Sequence, residues 1–385
     1  MKANFYIVCP SHVTTATTTG GYVFAGYGTV PGYVDKISPS TMTLVKTFTA
    51  PSGHNDVFAL TTLSGYVFAG YGTFPGRVDK ISPSTMSLVK TFTATTGNNN
   101  VSGLTTLSGY VFASYQTAPG RVDKISPSTM SLVKTFTAPS GHNYVIALTS
   151  LSGYLFASYS TPILLIGNRG VFANPGYVDK ISPSTMSLVK TFTAPPGHYF
   201  VGTLTSLSGY LFAGYSTSPG YVDKINPSTM SIVKTFTAPS GHGNVNALTT
   251  LSGYVFAGYF TFPGIVDKID PSFMTVIKTF TAKSGHNSVK SLTTLSSYVF
   301  AGYNTSPGYV DKINPTTMTL VKTFTAPSGH NYVLSLTNLS GYVFAGYSTS
   351  PCHVDKISPS TMSLVKTFTA PSGHRLLDSL ATIAI

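Results

Sequence analysis

The sequence predicts an all-β fold built from eight copies of one four-stranded antiparallel sheet. Three observations carry that expectation: a repeat of fixed length, a composition of strand and turn formers, and apolar runs punctuated by Gly and Pro. The tripeptide Val-Asp-Lys recurs with its aspartate at Asp35, Asp79, Asp123, Asp179, Asp223, Asp267, Asp311 and Asp355. These are spaced 44 residues apart, except for one gap of 56 that holds a 12-residue insertion near 162–173. Among 385 residues there are 24 Tyr, 24 Phe, 36 Gly and 25 Pro but no Trp and no Glu, and only 9% are charged. Thr, Val and aromatics favour strands, and Gly, Pro and Ser favour turns, so the composition argues against a helical or α/β enzyme.

The second unit shows why each element forms. Residues 57–63 are a short apolar and threonine run stopped by Ser64-Gly65. Residues 66–71, Tyr-Val-Phe-Ala-Gly-Tyr, are stopped by a loop containing Pro75-Gly76. Residues 77–81 follow, stopped by Ser82-Pro83-Ser84-Thr85, and residues 87–93 precede a last Gly-containing turn. Strands at about 11-residue spacing, each bounded by turn formers, describe a four-stranded meander. Such units repeated radially make a β-propeller, here of eight blades with about 44 residues each.

The repeat resembles those of the YVTN and WD-repeat propeller families. The likeness rests on Gly-Tyr-Val-Phe-Ala-Gly-Tyr, Val-Asp-Lys-Ile-Ser-Pro-Ser-Thr-Met and Val-Lys-Thr-Phe, and it spans nearly the whole chain. A Gly-His pair between blades, as at Gly53-His54, is shared with WD repeats, whereas their Trp-Asp pair is missing. The resemblance implies a fold; propellers host unrelated functions.

The chain reads as an N-terminal strand or arm at 1–12 and a propeller over 13–385, with an additional inner strand at 377–383. Residues 4–10 resemble a last strand, and 13–19 compete with 377–383 for one inner position. Either could close the ring.

Residues present in every blade read as structure. With Ile37 facing Leu44, Asp35 is expected to face Lys46 and Tyr33 to face Phe48, giving each aspartate a cross-strand lysine. The second lysine of each unit, the Lys36 type, is expected to form a diffuse collar. One carboxylate per unit is far from the oxygen set that calcium needs. His54, His142, His198, His242, His286, His330 and His374 occupy one turn of successive units, with Asn98 in the remaining slot. One imidazole per blade is too widely spaced for a shared metal, so each is expected to tie its loop to backbone or a polar neighbour. No metal or cofactor is expected.

Function is expected where the units differ. Alternate residues of the first strand share a face, and the pairs around its valine vary; they include Asp56/Phe58, Tyr144, Phe200, Lys290, Tyr332 and Asp378. The loop between the second and third strands varies too, and carries the insertion with Leu164, Leu165, Ile166, Asn168 and Arg169. Phe58, Tyr144, Phe200, Lys290, Tyr332 and these five insertion residues are the candidate contact set. Cys9 and Cys352 align with the end of a fourth strand and the start of a third, places that adjoin in an antiparallel pair, so a disulfide is expected between them, either within one chain or between neighbouring molecules. Asn100, Asn304 and Asn338 head glycosylation sequons.

Formal net charge is +12, yet no lysine-rich run exists; nucleic acid is not an expected partner. No apolar run is long enough for a membrane-spanning helix, and no signal peptide is recognisable. The sequence reading is a non-enzymatic module, extracellular or on a cell or virion surface. It would bind a protein or glycan, or copies of itself as an oligomer or filament. The alternative is a glycosidase- or lyase-like enzyme using Asp56 and Asp378 at the channel mouth.

Overall fold

A computed structural model describes residues 21–160, 164–166, 169–171, 175–375 and 377–384. Within them lie eight four-stranded antiparallel sheets and one two-stranded hairpin, and no helix. Blade two runs Val57–Leu63, Tyr66–Tyr71, Arg77–Ser82, Ser87–Thr93 in simple meander order. The first strand of each blade packs against the first strands of both flanking blades, so these strands surround the axis. The fold is an eight-bladed β-propeller.

The C-terminal strand closes the ring. Leu377–Ala384 pairs antiparallel with Gly21–Tyr27, Tyr22 opposite Ile383 and Ala25 opposite Leu380, and so forms the innermost strand of blade one. Two side-chain ties cross the same seam: His374 Nδ1 lies 2.9 Å from Asp35 Oδ2, and Lys356 Nζ donates to the Pro39 carbonyl at 2.7 Å. Residues 1–20, the competing segment and Cys9 among them, lie outside the described residues.

The core lies between blades, where the faces of two sheets meet. Phe68, Val78 and Phe92 of blade two pack with Val101, Tyr115, Ile125 and Met130 of blade three, all nearly or wholly buried. Each such aromatic or aliphatic side chain contributes about 1.5–3 kcal/mol on burial. Stability is therefore distributed over eight equivalent walls.

The expected Asp–Lys ladder is not formed. Ile37 does face Leu44, but Val45 is an extra residue in the fourth strand, and the register shifts there. Beyond this bulge Lys36 faces Lys46, Asp35 faces Thr47 and Tyr33 faces Thr49. The same shift recurs in the other blades, for example Asp79 opposite Thr91. An extra residue in one strand moves every later pair by one, which alternation cannot reveal.

The lysines also exchange roles. Lys36 is buried, its ammonium donating to the Pro83 carbonyl of the next blade at 2.8 Å and lying 3.7 Å from the Tyr22 ring centroid. Burial lowers its pKa. It is an inter-blade tie, and the exposed collar consists of the Lys46 type.

Candidate functional site

Each blade wall holds a buried polar cluster whose parts come from three places in the chain. In blade two, Asp79 on the third strand is fully buried. Its Oδ2 lies 2.8 Å from His54 Nδ1 in the preceding turn, and its Oδ1 accepts from Thr91 Oγ1 at 2.6 Å. The imidazole lies against the Tyr71 ring of the second strand. Its backbone N–H donates to the Pro51 carbonyl, and its carbonyl accepts from Gly32 N–H of blade one. The corresponding His–Asp contacts involve His142–Asp179, His198–Asp223, His242–Asp267, His286–Asp311, His330–Asp355 and His374–Asp35, at 2.8–2.9 Å. These carboxylates are held by hydrogen bonds inside a wall, which suits them to structure and closes them to substrate.

Blade three shows that an amide can fill the role. Asn98 Nδ2 donates to Asp123 Oδ2 at 3.1 Å, Tyr115 OH donates to the same oxygen at 2.8 Å, and Arg121 Nη1 donates to Asn98 Oδ1 at 2.7 Å. Burial nevertheless pushes the Asp123 carboxyl up, against the pull of its donors and of Arg121. Burial first, and then the neighbouring carboxylate, push the buried tyrosines such as Tyr71 and Tyr215 well above the usual phenol range.

These turns, the varied first-strand positions and the loops between second and third strands lie at one end of the ring. Backbone bonds stitch them together. Asp56 N–H donates to the Thr29 carbonyl of blade one, and its carbonyl accepts from Gly72 of blade two; Tyr144 does the same between Thr117 and Ser160. The varied residues Asp56, Asn100, Tyr144, Phe200, Ser288 and Tyr332 all have left-handed backbones with φ from 49° to 58°. The chain turns sharply at this place in every one of these blades, whichever side chain it carries.

Part of the variation is packing. A Cβ at Gly72 would sit 2.5 Å from the Phe58 ring, so blade two places a large residue on the first strand over a small one in the loop. Blade six does the opposite, with Asn246 on the strand and Phe260 in the loop. Ser102 Oγ donates to the Val145 carbonyl, and Asn246 Nδ2 to the Val289 carbonyl, each joining one blade to the next.

Of the candidate contact residues, Tyr332 is exposed, while Phe58, Tyr144, Phe200 and Lys290 are half-buried. Leu164–Ile166 pairs with Arg169–Val171 as a hairpin in the second-to-third loop of blade four. The side chains of Leu164, Leu165, Ile166 and Arg169, and all of Asn168, lie outside the described set. The most exposed apolar side chains at this end are residues that the sequence reading did not single out: Val30 at 75%, Phe74 at 74% and Phe262 at 68%, with Phe260 edge-on to Phe262. Their signal was available, because each stands directly before a loop proline where the other blades have Ser, Ala or Asn.

Asp56 is half-buried, and burial raises its pKa; the Asp378 side chain lies outside the described set. Asn304 is exposed, Asn100 half-buried, and Asn338 buried with its amide donating to Thr293 Oγ1 and the Thr294 carbonyl. Cys352 is buried at the seam between blades eight and one, its Sγ 3.1 Å from the Thr349 carbonyl. The residue facing it is Ala370, whose N–H donates to the Cys352 carbonyl. Blade seven has Gly308 at the position of Cys352, where a Cβ would lie 2.7 Å from the Tyr347 ring. No His, Cys or Asp cluster able to hold a metal ion occurs among the described residues.

No protein-family model and no curated protein matches the chain. Among solved structures, the crystal structure of the computationally designed Ika8 protein is similar, with a TM-score of 0.64 at 13% identity. The match covers 83% of this chain and 88% of that one, and at such identity it establishes the propeller fold alone.

Proposed function

We propose that this propeller is a non-enzymatic binding or assembly module, displayed outside a cell or on a virus particle. It engages a protein or glycan, or further copies of itself, through its varied loop face. The observation that carries the reading is the exposure of Val30, Phe74 and Phe262 at the tips of loops whose backbones are bonded across neighbouring blades. Exposed apolar side chains on a rigid frame suit recognition. The acid–base groups that a hydrolase would need are instead largely held within the walls. The likeness of the repeat to YVTN and WD propellers fits a rigid platform of this kind, and the blade-four hairpin of Leu164–Ile166 with Arg169–Val171 belongs to the same set of loops.

The double variant Phe74→Asp/Phe262→Asp tests the reading. The wild-type protein is expected either to self-associate in sedimentation or to retain ligands on a glycan array, and the variant to lose that behaviour with unchanged circular dichroism. Equal behaviour of the two proteins would overturn the assignment to this face. Glycoside cleavage that is lost on Asp56→Asn would favour an enzyme.

A further inference from the structure

The outer rim carries chemistry that neither the walls nor the loop face use. In blade two the fourth strand is the last of its sheet, and Ser87, Leu88, Val89 and Lys90 are all exposed. The fourth strands of blades three, four, five and eight repeat this pattern. Lys90 stands directly opposite Lys80, a like-charged pair within one sheet, which is unfavourable for the sheet. Lys80 is turned to the Pro127 carbonyl and the Tyr66 ring, leaving Lys90 outside. In blade six the pair is felt directly: burial lowers the pKa of Lys268, and the charge of Lys278 lowers it further.

No acid stands on any fourth strand, and eight of the 11 aspartates are the fully buried ones of the walls. The rim is thus a belt of ammonium groups beside exposed aliphatic pairs and hydroxyls. Charge complementarity calls for an anionic partner. The bulge at Val89 and the lysine beside it guard the edge against an added β-strand. The fourth strands expose no aromatic ring of their own, their one phenylalanine being buried, and the single exposed ring beside them, Phe273 near Lys234, is not repeated from blade to blade as a stacking track for nucleobases would be. A carboxylated sugar polymer fits all three features: its carboxylates meet the lysines, its hydroxyls meet Ser and Thr, and its C–H faces meet Leu and Val.

We propose that the rim binds an acidic polysaccharide of the polyuronate class, through equivalent weak contacts repeated from blade to blade. Repetition makes the interaction one of avidity, so affinity depends steeply on how many lysines remain.

Polygalacturonate is the probe, with dextran, poly-glutamate and duplex DNA beside it, titrated against the intact protein at several salt concentrations. Polygalacturonate is expected to bind, more weakly as salt rises, and dextran not to bind. The exposed substitutions Lys46→Gln, Lys90→Gln, Lys134→Gln and Lys190→Gln together should weaken binding about tenfold or more, with circular dichroism unchanged. Phe74→Asp/Phe262→Asp should leave it intact, which separates this surface from the loop face. Three results would each overturn the proposal: no polygalacturonate binding, undiminished binding by the four-lysine variant, or equally tight binding of poly-glutamate or DNA.

Discussion

The walls between blades and the loop face above them are built from the same repeat, yet they obey opposite rules. In a wall, Asp223, His198, Thr235 and Tyr215 form one hydrogen-bonded cluster, and the same residue types recur in most blades. On the loop face the backbone bonds recur while the side chains change, from Asp56 to Tyr144 to Phe200. The difference teaches that the recurring backbone bonds, with a threonine tie in the loop such as Thr73 Oγ1 to the Pro75 carbonyl, hold the loop face in shape whichever varied side chains it carries. Its side chains are thereby free to differ without loss of the ring.

The largest effect should come from breaking a wall. Asp223→Ala leaves a buried imidazole, a threonine hydroxyl and a tyrosine hydroxyl without their acceptor. Removing one partner of a buried pair costs about 3–5 kcal/mol. The urea midpoint should fall accordingly, whereas Phe74→Ser should barely move it. Equal midpoints for the two variants would abolish the distinction between wall and face.

A smaller loss is expected at the ties between blades. Lys224 Nζ donates to the Pro271 carbonyl at 2.8 Å and lies 4.1 Å from the Tyr210 ring centroid. Lys224→Met keeps the packed stem and loses a charge-assisted hydrogen bond and a cation–π contact. About 1–3 kcal/mol should be lost. A variant as stable as the wild type would show that these lysines act only through their stems.

Much of this architecture is legible in the sequence because period, turn formers and apolar runs are local signals. The four strands of a blade follow from runs such as 66–71 and the Gly and Pro that end them. The partner of Asp35 is not legible in that way. Val45 adds a residue that breaks the pairing count, and the true partner, His374, is 339 positions distant. A clue was nonetheless present: histidine and aspartate each recur once per unit, and the one exception, Asn98, keeps a hydrogen-bond donor. The loop face was legible as variation, but its most exposed residues were not. Whether a side chain such as Phe58 packs down over Gly72 or points outward like Phe74 depends on neighbouring loops.

Blade three sharpens the comparison, because there the wall itself departs from the repeat. Burial raises the Asp123 carboxyl from its ordinary value, outweighing the hydrogen bonds and Arg121 that lower it. A carboxyl whose folded pKa exceeds its unfolded one binds its proton more tightly when folded. Ionised at neutral pH, it therefore opposes folding, and this penalty disappears as pH falls through the raised value. Asn98→His restores the residue of the other blades and should pull Asp123 down. A gain of about 1 kcal/mol is expected at neutral pH, fading once the carboxyl is protonated. Urea denaturation of both proteins at neutral and acid pH decides it; a gain that grows as Asp123 protonates would contradict the assignment.

The smallest stability effect belongs to the loop tips. Phe74 is 74% exposed, so its ring gains little from folding, and the loop beneath it is tied by Thr73 Oγ1 to the Pro75 carbonyl at 2.7 Å. Phe74→Ser keeps that bond and removes only a ring standing mostly in water. The urea midpoint should correspond to a change within about 0.5 kcal/mol, as for surface substitutions in general. Phe58→Ser, one layer down, removes a ring that rests on Gly72 and should cost more, although the two residues belong to the same blade and the same face. If Phe74→Ser instead destabilises as much as Phe58→Ser, the tip is packed against its own blade and is not presented to a partner. If it leaves stability untouched while binding or self-association is lost, the exposed tips carry recognition, and the half-buried residues beneath them serve as their support.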